Sequence, residues 1–143
     1  MTSSSDRGSM ALETAIIAPA LLAMLVMMIA IGRVTIAHGA IEAAARDAAR
    51  QASIARDSAS ARSAALESAR AALAREGLKC APSVAVDTSG FSAPVGTPAL
   101  VAATVTCEVE LGDLALAGIP GSKILTSAFS SPIDAFRARR DQP

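Results

Sequence analysis

The sequence predicts an α+β chain: a long N-terminal helix with a transmembrane part and an amphipathic extension, a second helix, then a small antiparallel sheet of about three strands. Three observations carry this reading. Residues 14–32 contain no charged side chain. Residues 34–76 are rich in alanine, with Arg, Asp and Glu scattered through them. Past Gly77 the texture changes to Val- and Thr-rich runs separated by Gly and Pro.

The uncharged run is bounded by Glu13 and Arg33. As a helix it spans close to the ~30 Å hydrocarbon core of a bilayer. Its residues, Leu21, Leu22, Met24, Leu25, Val26, Met27, Met28 and Ile29 among them, are apolar on every face. A helix apolar all round is buried in protein or in lipid. Apolar residues make up 52% of the chain, but aromatics only 2% and alanine much of the rest, so there is too little other core to bury it. Lipid is the expected surrounding. Pro19 lies inside the run and removes one backbone donor, so a break or bend in the membrane helix is expected there.

Alanine has the highest helix propensity. Glu42 and Arg46 form a favourable i,i+4 pair, and Asp47–Arg50 and Glu67–Arg70 are spaced i,i+3. Asp57-Ser58-Ala59-Ser60 interrupts the segment, because such side chains compete for the backbone and favour caps. One helix is expected to about Arg56 and a second from about Ser60 to Glu76, with Gly77 as the stop. Beyond it, strands are expected near 83–88 and 100–111, joined by a Gly- and Pro-containing loop. Residues 114–119 form a small apolar patch ended by the turn signal Pro120-Gly121. A third strand follows over 123–130, then 133–136. The resulting division is a leader at 1–8, a transmembrane helix at 9–33, Ala-rich helices at 34–76, a small β domain at 77–137 and a frayed tail at 138–143.

Composition excludes several functions. Thirteen basic residues balance thirteen acidic ones, and Trp and Tyr are absent. The chain therefore lacks both the basic footprint and the stacking platforms of a nucleic-acid binder. One His and two Cys are too few for most metal sites. His38 has no nucleophile and acid arranged around it, and no serine lies in a G-x-S-x-G elbow. No catalysis, cofactor or metal is expected.

The N-terminus carries the strongest functional signal. Gly8-Ser9-Met10-Ala11-Leu12-Glu13 leads directly into the apolar run. A secretory signal would be cut after its apolar stretch. Here the stretch is too long and has no small-x-small exit, so cleavage before it is the alternative. Prepilin-type substrates have a short polar leader, Gly at its last position and Glu five residues into the mature chain, a spacing that Gly8, Ser9 and Glu13 meet. An acidic side chain at a membrane-helix centre costs roughly 2.5–3.5 kcal/mol. Pairing Glu13 with the Ser9 amine of a neighbouring subunit offsets such a cost. The plain alternative is that Glu13 marks the headgroup level.

Glu13, Pro19, Gly32-Arg33 and the helix Ala44-Ala45-Arg46-Asp47-Ala48-Ala49-Arg50 together resemble the TadE-like family, and Pro132-Ile133-Asp134-Ala135-Phe136-Arg137 looks like that family's end. The resemblance is strong over about residues 8–56 and loose beyond. One departure is Thr14, where an aromatic often follows the Glu. The resemblance implies a pseudopilin, minor pilin or assembly component of a Tad (tight-adherence, type IVb-like) pilus. It implies processing by a prepilin peptidase and, as partners, other pilins, Tad membrane platform proteins and membrane lipid; composition already argues against nucleic acid as a partner. It also implies a single-pass protein of the bacterial cytoplasmic membrane, N-terminus inside and C-terminal domain outside, able to enter a surface pilus. The charge count opposes that orientation, with only Arg7 before the run and Arg33, Arg46 and Arg50 after it. Long domains, however, translocate largely regardless of charge. The alternative function is a membrane-anchored extracytoplasmic binding module that keeps its full N-terminus.

Two further features are open to two readings each. An even cysteine count outside the membrane points to a Cys80–Cys107 disulfide; the other reading is two buried thiols. The small residues Ala45, Ala48, Ala52, Ala55 and Ala59 make a stripe that admits either a neighbouring helix or the chain's own sheet.

Overall fold

The computed structural model describes residues 5–110, 112 and 121–138, with side chains from Glu13 onward. The apolar patch at 114–119, Pro120, the first four residues and the tail from 139 lie outside the described residues.

Helix α1 spans Ser5–Ile54 and helix α2 spans Ser58–Arg75. Three strands follow, β1 (Ser83–Asp87), β2 (Ala99–Glu110) and β3 (Ser122–Ile133), with a short 3-10 turn at Ser89–Ser92. The chain is therefore α+β, as its texture predicts. The break between the helices falls where Asp57 sits. Its backbone is extended, and its carboxylate accepts the Ser60 amide at 2.8 Å, which caps α2. Gly77 ends α2 in a left-handed conformation (φ 70°). The Leu78 amide donates to the Leu73 carbonyl at 3.0 Å and the Gly77 amide to that of Ala74 at 3.1 Å. This is a Schellman closure, completed by the apolar pair Leu73 and Leu78.

The sheet order is β1-β2-β3, antiparallel throughout. Strand β2 sits at the centre and alternates cleanly. Val101, Ala103, Val105, Cys107 and Val109 are buried on one face, while the residues between them face away. The helices cover the buried face, α1 against β3 and β2, α2 against α1 and β1. The helix layer is held by alanine. Ala44, Ala45, Ala48, Ala49 and Ala52 of α1 and Ala61, Ala65 and Ala69 of α2 are fully buried. Such small side chains let the backbones approach closely but contribute little apolar area each. The larger buried groups are Ile41, Leu73, Phe91, Leu125 and the β2 valines.

The structure departs from the sequence reading in the third strand and in two ion pairs, and it bears on two further expectations, Pro19 and the alanine stripe. The third strand is not interrupted near 130 but runs unbroken to Ile133, with Pro132 opposite Leu100. Strand β3 is an edge, where a residue lacking an amide donor is tolerated. Helix α1 continues through Pro19, which lies inside it. The ring removes one hydrogen bond and the flanking turns carry on. Asp47 pairs not with Arg50 but with Arg75 of α2, at 2.7 Å. Glu67 and Arg70 do not form an ion pair, whereas Glu42–Arg46 does, at 2.8 Å. The alanine stripe is taken up by the chain's own fold over Ala45, Ala48 and Ala52. Ala55 lies past the end of α1, and Ala59 belongs to α2 and is exposed.

Candidate membrane and processing helix

Helix α1 has two halves that share one backbone. The distal half, from about Ala37, lies on the core. The proximal half touches almost nothing. Ile16 is 70% exposed, Leu22 62% and Met27 66%, and the exposed apolar side chains point in every direction. Among the described residues it is one helix long and apolar enough to cross a membrane. A continuous, uncovered apolar cylinder of this length fits a single-pass membrane protein.

Gly8 and Ser9 lie in the first turns of α1, ahead of that cylinder. Glu13 is exposed at its start, beside Thr14, Ile17, Ala18 and Leu21. It has no hydrogen-bond or ion-pair partner among the described residues. A carboxylate alone at the mouth of an apolar cylinder has either headgroups or another molecule to satisfy it. Among the described residues no cation pairs with it. Gly8, Ser9, Glu13 and Pro19 therefore share one helix, and the cysteines lie on the sheet side.

The disulfide joins Cys80 to Cys107 with a Cα–Cα separation of 6.0 Å. Antiparallel register explains how. Ser83 pairs with Thr106, so β2 runs four residues past the start of β1, and the first of them, Cys107, is presented to the segment leading into it. Cys107 is buried and Cys80 half-buried. The bond ties the exit of α2 to the central strand.

The C-terminal Pro132–Arg137 segment has a role that spacing alone did not show. The Asp134 carboxylate accepts the Phe136 amide at 2.9 Å, forming a tight turn. The Ala135 carbonyl accepts the Gly96 amide at 2.7 Å. The Arg137 guanidinium donates to the carbonyl of Ile54 at 2.6 Å. That carbonyl is the last of α1 and has no partner within the helix, so a cation there also meets the negative end of the helix dipole. Ser131 and Ser53 add a hydroxyl contact at 3.1 Å. The signal available in sequence was Asp-x-Phe-Arg as a turn, but its partner lies 83 residues earlier.

Residues 8–50 match the family described as TadE-like protein. The matched stretch contains Gly8, Glu13, Pro19 and the first part of the alanine-rich helix. No curated protein and no solved structure matches the chain.

Proposed function

We propose that the protein is a pseudopilin or minor pilin, or an assembly component, of a Tad-type pilus, cleaved by a prepilin peptidase after Gly8. The observation that carries this reading is coincidence. The family match over residues 8–50 falls on the same helix that is apolar all round and begins with Gly8 and Glu13 at the prepilin spacing. The protein acts by packing, with no catalytic step of its own. The span holds the chain in the membrane and later lies against other pilin helices. Glu13, unpartnered among the described residues, then pairs with a neighbour's new Ser9 amine.

The Cys80–Cys107 bond supports an N-inside, C-outside orientation, because disulfides persist in oxidising compartments. Intact-mass analysis of the protein purified from a host with the peptidase tests the reading. A mature chain starting at Ser9 is expected, and Gly8→Val is expected to leave an uncut, slower-migrating form. A start at Met1 or Thr2, unaffected by Gly8→Val, would replace this reading with that of an unprocessed membrane-anchored binding module.

A further inference from the structure

The direction of β3 fixes which end of the sheet faces the membrane. The Arg46 guanidinium lies 5.4 Å from the centre of the Phe129 ring. Farther along α1, Ser53 meets Ser131, and Ile54 meets Arg137. Strand β3 therefore ascends with α1, away from the apolar cylinder, and its first residues lie at the cylinder's end. Counting back from the Arg46–Phe129 contact, Lys123 is about 20 Å down the strand, and Arg33 is about 20 Å down the helix. The packing agrees with this level. Ala37 already belongs to the folded core and the half-buried Val34 packs against it, and Val109, paired with Lys123, is buried in it.

No spacer thus separates the domain from the span. The last uncharged residue of the run is Gly32; Ala30 before it is already buried, and Val34 after it packs against the core. A bilayer around the cylinder places its polar layer, roughly 5–7 Å deep on each side, at the foot of the domain. Among the described residues that foot exposes two cations, Arg33 and Lys123, two carboxylates, Glu108 and Glu110, and two large apolar side chains, Ile36 and Ile124, each 66% exposed. Lys123 lies on the helix-facing side of the sheet. Ile124 lies on the opposite side, paired with Glu108 and next to Glu110, and there Glu108 accepts a hydrogen bond from Ser122.

We propose that the foot of the sheet is a lipid-contact surface, with Lys123 and Arg33 held against phospholipid phosphates and Ile36 and Ile124 at the polar–apolar boundary. The occupant is the bilayer itself, because this surface continues the one already in contact with lipid. Cations and aliphatic side chains at that depth suit the headgroup layer. The inference rests on α1 spanning the membrane, but not on which side the domain faces.

The test uses the full chain, disulfide intact, in phosphatidylcholine–phosphatidylglycerol vesicles. An environment-sensitive fluorophore is attached to Ser122→Cys, to Phe136→Cys at the far end, or to Met24→Cys within the span. Lipids carrying a nitroxide on the headgroup or on the acyl chain act as quenchers. The Ser122→Cys label is expected to emit to the blue of the Phe136→Cys label and to be quenched by the headgroup nitroxide, while the Phe136→Cys label is not. Lys123→Glu combined with Arg33→Glu is expected to reduce that quenching, and Lys123→Arg with Arg33→Lys to retain it. A Ser122→Cys label that behaves like the one at Phe136→Cys, while Met24→Cys is quenched from the acyl chain, would overturn the proposal and leave the span standing. Absence of acyl-chain quenching at Met24→Cys would overturn the span, and the proposal with it.

Discussion

Replacing both cysteines with alanine removes a crosslink between positions 27 apart in sequence. By loop-closure entropy, a bond closing a loop of this size restrains the unfolded chain by ~3–4 kcal/mol. The effect should be large here, because the helix layer is packed mainly through alanine. In a domain of this size each kcal/mol moves the thermal midpoint by about 4–8 °C, so a fall of roughly 12–30 °C is expected. Cys107 is fully buried, so its replacement adds a small cavity cost in the same direction. Far-UV circular dichroism of the detergent-solubilised full chain would report it, with the transition monitored at a wavelength weighted toward the sheet. Maleimide labelling of the untreated protein is the companion measurement and should modify neither thiol. An unchanged midpoint, or labelling of both thiols without reductant, would refute the account of the bond as the restraint on this domain.

Gly90→Ala should destabilise the domain by about 1–3 kcal/mol, because a Cβ there collides with the Leu100 carbonyl and crowds Ile133; chemical denaturation of the full chain measures it. Arg137→Ala should cost on the order of 1 kcal/mol by uncapping α1, and amide exchange should rise first in that helix's last turn. Asp57→Ala should cost about 1 kcal/mol through loss of the α2 cap, with Asp57→Asn much milder. The amide and hydroxyl of Ser89 hold the Asp87 carboxyl below its ordinary value. The turn it makes should be intact above the usual carboxylate range and loosen as pH falls below it. NMR titration should give Asp87 a lower midpoint than an unstructured aspartate, and Asp87→Asn should abolish that titration.

Most of the fold was legible because its punctuation is local. Asp57 and Gly77 mark helix ends through chemistry acting within four residues, and the period-two pattern of β2 needs only one buried face. What was not legible depends on neighbours. Whether Pro132 ends a strand turns on whether the strand lies at an edge, and a proline cannot say this of itself. Asp47 had a candidate partner three residues away on its own helix, and only the antiparallel return of α2 brings Arg75 closer. The alanine stripe was ambiguous for the same reason, since a small side chain permits close approach without specifying by what. The residues proposed for processing are a separate case. Gly8 and Glu13 were singled out from spacing alone, and among the described residues Glu13 has no partner; the chemistry proposed for it involves another molecule.

Helix α1 crosses from the apolar cylinder to the top of the domain with no hinge between Gly32 and Ile54, a rod of about 33 Å beyond the uncharged run. It is therefore a lever. A tilt of ~20°, ordinary for a single span, would swing the Ile54 end sideways by roughly 11 Å. Any pull on that end would in turn reach the buried turns undiminished, since the Arg137 clasp and the Ser53–Ser131 contact fasten the sheet to the rod at its far end. Force applied to the domain is thereby force applied to the anchor, so the chain should leave the bilayer as one rigid piece rather than by stretching.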